Sequence, residues 1–397
     1  MNVMTPRWAI LIISLLPMHF ASAQSIGDMT LSEVLGVAME RAVTDLPGNG
    51  AQAYQSSSWL AALPSVSISY LDSDERYGND ETELSLNLPI KSGGQRRADN
   101  KLQQLGSEFD AASQQHKALY LSGLIREAVW SYKISAVKQA SAERKNLLLK
   151  RLEQRYQQLL AANAASEYSL LLIQKELVRA QIEQLDLEQE VRRWLQQYKV
   201  VTGLGSMPTD ISEPEFGSTG FILATHPQLR LLELGWLQRQ LVLLAASNQS
   251  TPWNVTLTAK NIDSEVFEED QYGIGIEIPL SFINIATQSH NSEWLLASRT
   301  YDIARDELRL GLQRRWDLLE GESMLLHKKS TLLDRSGALS EGIKRQSNEL
   351  KAFNELGEEI ILRQMIEAID SQAAISINKA LIHQNNAMLR QAAGIPL

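Results

Sequence analysis

The residues best suited to acid-base or metal chemistry are scattered along this chain. Its six histidines lie at positions 19, 116, 226, 290, 327 and 383, without the spacing of metal ligands, and there is no cysteine. Ser-His-Asp arrangements, phosphate-binding loops and paired buried carboxylates have no support in the sequence either. We therefore predict a protein that is not an enzyme and that has neither a cofactor nor a metal site.

The N-terminus indicates export. Arg7 precedes an apolar run from Trp8 to Leu16, and Ala21-Ser22-Ala23 follows. This is the layout of a signal peptide spanning residues 1–23, because the apolar run is too short to cross a bilayer as an anchor. Removing the peptide with Arg7 takes the formal charge from -9 to -10, an acidic balance that argues against a nucleic-acid partner.

The stretch 64–90 has the alternation of a β-hairpin with one apolar and one polar face. A charged loop separates its two strands. The apolar positions are Val66, Ile68, Tyr70, Leu84, Leu86 and Leu88, and they alternate with Ser65, Ser67, Ser69, Glu83, Ser85 and Asn87.

A second hairpin at 252–280 repeats the first. Val255 and Leu257 alternate with Thr256 and Thr258, and Pro64 and Pro252 are 188 residues apart. We predict two structural repeats at 24–203 and 223–397, joined by a linker at 204–222 that is rich in Gly, Pro, Ser and Thr.

Long helices surround both hairpins. Residues 94–160 contain no proline and carry a narrow apolar seam, predicted as Leu105, Phe109, Ala112, Ile125, Val129, Tyr132, Ala136, Leu148, Leu152 and Leu159. Such a helix is about 100 Å long. Each repeat is predicted as short helix (31–60 and 227–248), hairpin, very long helix (94–160 and 286–352), tip turn and medium helix (167–203 and 359–394).

Four strands cannot close a barrel, and open edges are not viable in hydrocarbon. If the apolar faces meet lipid, several chains must therefore close the sheet together. A soluble hairpin that packs one face on a helix layer is the alternative.

The chain resembles the TolC-like outer-membrane efflux proteins. The resemblance rests on the element order and on the segments ALPSVSISY, TPWNVTLTA, LNLPIKSGGQRRA, IEIPLSFINIA, HPQL, VVTGLG and RQAAG. It implies a mainly α protomer with β-hairpins, three copies of which form a 12-stranded outer-membrane β-barrel continuing into a periplasmic α-helical barrel. It also implies a periplasmic adaptor protein and an inner-membrane pump as partners, in efflux or type I secretion.

The resemblance also implies site residues. The adaptor-contacting tips are Asn163, Ala164, Ala165, Ser166, Leu356 and Gly357, where Asn163 replaces the usual glycine and can still adopt a left-handed turn. The periplasmic aperture maps to Glu367, Arg363, Glu358, Glu359 and Asp370. If the sheet forms a channel, its lumen is lined by Ser67, Ser69, Ser85, Asn87, Thr256, Thr258 and Glu277.

A periplasmic coiled-coil adaptor or scaffold that carries the hairpins as additions is the competing interpretation. For the aperture residues, the alternative is that they belong to the solvated face of a coiled coil.

Overall fold

The computed structural model describes residues 29–44, 57–75, 77–217, 221–246, 252–279, 288–352 and 358–397. The first half contains α1 (Leu31–Thr44), β1 (Ser65–Leu71), β2 (Asp80–Ile90), α2 (Gly93–Ala161) and α3 (Glu167–Thr202). The second half contains a 3-10 turn (Leu223–Thr225), α4 (Pro227–Ala246), β3 (Trp253–Asp263), β4 (Glu268–Glu277), α5 (Gln288–Ala352) and α6 (Glu358–Ala392). The element order of the first half thus recurs in the second. The predicted signal peptide lies outside the described residues.

The helix ends follow local chemistry. Ser92 and Gln95 form a reciprocal capping box at the start of α2. Gly203, after α3, and Gly394, after α6, take φ values of 78° and 80°, a left-handed conformation that glycine adopts without strain. Gly203 is therefore the residue that ends α3.

The two hairpins form one antiparallel sheet in the order β1-β2-β3-β4. The isolated hairpin of the first half thus finds its partner in the second, through the β2–β3 ladder from Asp80↔Asp263 to Ile90↔Trp253. The first helix is shorter than predicted: α1 is described as Leu31–Thr44, and residues 57–64 are not helical because Leu60 makes a β-bridge with Ile90.

The long helices pack side by side. Helix α2 contacts α3 and α6, and α6 contacts α5, which gives the order α3-α2-α6-α5. Helix α1 packs on α2 and α3, while α4 packs on α2 and α5. None of the described helices has both the length and the apolar character needed to cross a membrane.

The buried seam of α2 differs in part from the predicted one. Ala112, Ile125 and Val129 are buried as expected, but Leu148 is only partly buried and Leu149 takes its place. Six buried residues follow one another at steps of seven: Leu121, Ala128, Ser135, Ala142, Leu149 and Tyr156. The predicted seam misses Ser135 and Ala142, which are buried although a hydroxyl or a single methyl group is a weak apolar signal.

Candidate functional site

The structure places all seven predicted lumen residues on one face of the sheet. In register, Ser67 pairs with Ser85, which pairs with Thr258, and Asn87 pairs with Thr256 in the next row. Ser69 lies two residues beyond Ser67 on the same face. Glu277 pairs with Asn254, whose side-chain amide donates to the Glu277 carboxylate at 3.2 Å. Hydroxyl, amide and carboxylate groups therefore cover this face.

The opposite face of the sheet is apolar and exposed. Register aligns Val66, Leu86, Leu257 and Ile274 in one row across all four strands. Ile68 and Ile274 are 73% and 76% exposed. Within the described residues, no helix covers this face, so the chain alone leaves a continuous apolar band in contact with solvent.

Aromatic residues lie near both ends of the apolar band. Tyr70 lies one residue before the end of β1, Trp253 begins β3 at the other end of the sheet, opposite Ile90, and Tyr272 lies in the middle of β4. The separation from Trp253 to the Tyr70 row is about eight residues, or roughly 26 Å along a strand. Tyr and Trp are the side chains enriched at the two interfaces of a lipid-facing band.

The first predicted tip is a tight turn built around Asn163. Its φ of 55° makes it the only non-glycine residue with positive φ among the described residues. The Ala164 amide donates to the Leu159 carbonyl at 2.8 Å and the Asn163 amide to the Leu160 carbonyl at 2.9 Å, which together form a Schellman motif. The Ser166 hydroxyl then accepts from the Ser169 amide and caps α3. The left-handed turn expected of Asn163 is thus present.

The second predicted tip precedes α6. Leu356 and Gly357 lie outside the described residues. Glu358 and Glu359 begin α6, and the positions of their side chains are not described.

Three of the five predicted aperture residues line one cavity. Arg363, Glu367 and Asp370 follow one another at steps of four and three along α6. They border a cavity of about 580 Å³ that also includes Tyr156 of α2 and Ile173 of α3. Asp370 lies 3.7 Å from Lys145 of α2. The structure thus brings these charged groups together where α2, α3 and α6 meet.

A buried charged network that no sequence pattern indicates joins the two repeats. Arg126 of α2 is fully buried and donates from Nε and Nη2 to the two carboxylate oxygens of Glu213, at 2.9 and 2.6 Å. Arg390 of α6 donates to the same carboxylate at 3.0 Å. Arg126 Nη1 donates to Gln391 at 2.6 Å and to the Ile395 carbonyl at 3.0 Å. The linker segment around Glu213 is therefore clamped between α2 and α6.

His226 lies at the start of α4 against the end of α6. It is buried, and its Nδ1 accepts from the Gln228 amide at 3.3 Å. A Cβ at Gly394 would come within 3.0 Å of the His226 ring. Burial, together with charge repulsion from the neighbouring His116 and Arg315, lowers the pKa of His226 to about 4. The imidazole is neutral at neutral pH.

The outer helices of the α3-α2-α6-α5 layer carry exposed apolar seams. On α5, seven residues that are 60–70% exposed follow one another at steps of seven, with one step of eight: Leu296, Ile303, Leu310, Leu318, Leu325, Leu332 and Leu339. On α3 the exposed residues Leu171, Val178 and Leu185 have the same spacing. Such seams are typical of helices that pack against a further helix.

Solved structures of outer-membrane channels resemble the whole chain. The channel OprN aligns with a TM-score of 0.67 and 15% identity over 94% of this chain and 92% of its own. The outer membrane protein VceC from Vibrio cholerae aligns with a TM-score of 0.67 and 14% identity over 92% of this chain and 96% of its own. This chain has the fold of the outer-membrane channels. The CmeC channel of Campylobacter jejuni aligns with a TM-score of 0.64 and 13% identity over 99% of this chain and 94% of its own.

The outer-membrane-channel fold confirms the tandem-repeat protomer that the sequence predicted, and the resemblance to TolC-like proteins holds at the level of fold. No family model matches the sequence, and no curated protein matches it. The likeness is thus carried by the arrangement of helices and strands.

Proposed function

We propose that this protein is an outer-membrane channel for efflux and that three copies form the channel. The observation that carries the proposal is the four-stranded sheet, which has an exposed apolar face, a polar face and an edge strand on each side. Lipid satisfies the apolar face, and water in a lumen satisfies the polar face. The solved channels of the same fold support this placement.

Closure by three copies gives a partner to both edge strands of the sheet and to the exposed helical seams. Strand β1 of one copy would pair with β4 of the next, and the seam on α3 would pack against the seam on α5 of the next copy. Twelve strands about 4.8 Å apart and tilted by about 40° give a barrel about 24 Å across between backbones. This bore is wide enough to hold water and solutes.

The proposed location is the outer membrane, with the helices extending into the periplasm. Helix α2 has 69 residues, which corresponds to about 100 Å. We propose that the tip residues 163–166 and 356–357 contact a periplasmic adaptor. An inner-membrane pump would bind the other side of that adaptor. The arrangement conducts solutes and requires no catalytic chemistry, so the protein is proposed to be non-enzymatic.

We assign the periplasmic aperture to the charged residues of α6, centred on Glu367. Three copies would place three such clusters around the narrow end of the duct. The proximity of Arg363, Glu367 and Asp370 around one cavity supports a charged constriction there. The two repeats, 24–203 and 223–397, would contribute one tip each.

The deciding experiment is purification followed by reconstitution. We expect the protein to require detergent, to have the mass of three chains by light scattering, and to form open or gated pores in planar bilayers. A chain that stays soluble and monomeric without detergent would instead favour the adaptor or scaffold interpretation.

The helical seams give a sharper test of assembly. The double variant Ile303→Glu and Leu325→Glu should abolish the trimer, because it places six carboxylates in the interfaces between copies. His327→Glu is the matched control, since it is exposed on the same helix but lies about 160° around the axis from Leu325. Equal loss of trimer in both variants would argue against the proposed interface.

A further inference from the structure

The polar face of the sheet contains a single cation. Lys260 is the only lysine or arginine in the four described strands. It alternates with Thr256 and Thr258 and therefore lies on the same face. In register it faces Glu83, and its Nζ lies 2.7 Å from Oε2 of Glu81.

The carboxylates near Lys260 are concentrated at the turn end of the sheet. Glu81, Glu83 and Glu269 all lie on the polar face within two rows of Lys260. Glu83 also accepts a hydrogen bond from the Ser85 hydroxyl at 2.8 Å, so its carboxylate is held in position. Towards the helical end, the next two rows carry no charge. They consist of Ser67, Ser85, Thr258 and Gly273, and of Ser65, Asn87, Thr256 and Gly275.

We propose that Lys260 is a selectivity-determining residue of the outer end of the barrel, where it limits the cation preference that the surrounding glutamates impose. This inference rests on the proposed channel function. Lys260, Glu81, Glu83 and Glu269 together form what we call the charged belt. In three copies, the belt has nine carboxylates and three ammonium groups, all on the lumen side. Fixed charges around a water-filled bore concentrate counter-ions and exclude ions of the same sign.

The ion pair explains how one side chain has this effect. Lys260 pairs with Glu81 and lies opposite Glu83 in register, so its charge offsets part of theirs. Without it, both carboxylates face the bore uncompensated. The neutral rows below the belt contribute no fixed charge, so within the strands the belt dominates the field at this end.

The test is the reversal potential in a KCl gradient across planar bilayers, at about 0.1 M salt so that screening extends only over about 10 Å. Lys260→Gln should raise the ratio of potassium to chloride permeability by roughly twofold or more. Lys260→Arg should leave the ratio unchanged. Glu81→Gln with Glu83→Gln should shift it towards chloride.

The matched control is Thr82→Glu. It changes the net charge by the same amount as Lys260→Gln, but Thr82 is exposed on the opposite face of the sheet, in a neighbouring row. An equal permeability shift in the control and in Lys260→Gln would overturn the proposal, as would a Lys260→Gln channel with unaltered selectivity. Both results leave the channel function standing. Failure of the unmodified protein to form any pore would overturn the channel function and this inference together.

Discussion

The buried charge of Arg126 depends on its ion pair with Glu213. The guanidinium is fully buried, and Glu213 supplies the carboxylate that neutralises it. Removing one partner of a buried ion pair leaves an uncompensated charge, which costs about 3–5 kcal/mol. We therefore expect Glu213→Gln to lower the thermal unfolding temperature of the purified protein strongly.

The matched control for Glu213→Gln is Glu215→Gln. Glu215 lies in the same linker but is exposed, so this variant should behave like the unmodified protein. Equal stability of the two variants would show that the Arg126 network contributes little to holding the repeats together.

His226 makes stability depend on pH. Its pKa is about 4 in the folded protein, against an ordinary value of 6.5. Below pH 6.5 the unfolded chain binds more protons than the folded one, so stability falls as the pH decreases from about 6.5 to about 4. His226→Asn keeps an acceptor for the Gln228 amide but does not titrate. The fall in unfolding temperature over this range should therefore be smaller in this variant, whereas the exposed control His327→Gln should retain the full fall.

Asn163 occupies a backbone conformation that favours glycine. A residue with a branched or bulkier side chain pays about 1–2 kcal/mol in the left-handed region. Asn163→Gly should therefore preserve or raise the stability of the α2–α3 pair, and Asn163→Val should lower it. Hydrogen exchange at the ends of α2 and α3 measures the effect. Ala164→Gly, at the next position, should bring no gain, because Ala164 does not have a positive φ.

At the level of elements, two asparagines fix the register of α5 against α6. Asn378 donates to the Leu326 carbonyl at 3.2 Å and Asn385 to the Leu319 carbonyl at 3.1 Å. Both donors and both acceptors are seven residues apart, so the contacts repeat with the heptad. A polar residue in an apolar seam specifies the alignment of two helices because a shifted partner leaves it unsatisfied.

The Asn385 contact can be tested by a charge change without a change of shape. Asn385→Asp removes the amide donor and buries a carboxylate beside a carbonyl, which should destabilise the helix pair by several kcal/mol. Gln384→Glu, at the neighbouring and less buried position, should have a small effect. Similar unfolding temperatures for both variants would contradict the register role.

At the level of the whole molecule, the proposed trimer would have a narrow periplasmic end and a membrane end, each with its own fixed charges. Glu367 borders the cavity that we assign to the aperture. Glu367→Ala should raise single-channel conductance or weaken cation preference in planar bilayers, because it removes one carboxylate per copy from the proposed constriction. Glu215→Ala serves as the control, since it removes a carboxylate from the linker. Unchanged conductance and selectivity in Glu367→Ala would exclude Glu367 from the gate.

Local patterns were sufficient to predict most elements. Alternation around 64–90 and 252–280 predicted both hairpins, and the proline-free heptad segments predicted the long helices within a few residues of their bounds. Alternation also assigned Ser67, Ser85 and Thr258 to one face, because a strand has only two faces. The resemblance to a known family then implied an assembly of three copies, a number that no local pattern contains.

The rest depended on contacts between distant parts of the chain. The pairing of β2 with β3 joins residues that are between 163 (Ile90 and Trp253) and 183 (Asp80 and Asp263) positions apart. The alternation within each hairpin is the same whether or not the two hairpins pair. Arg126 and Glu213 look like ordinary charged residues until packing buries them together. The acidic and basic residues of α6 likewise share a face by helical period, but only the packing of α2, α3 and α6 places them around a common cavity. Sequence periodicity determines which side of a helix or strand is apolar. Tertiary structure decides which element packs against that side, because many different elements could cover the same apolar side.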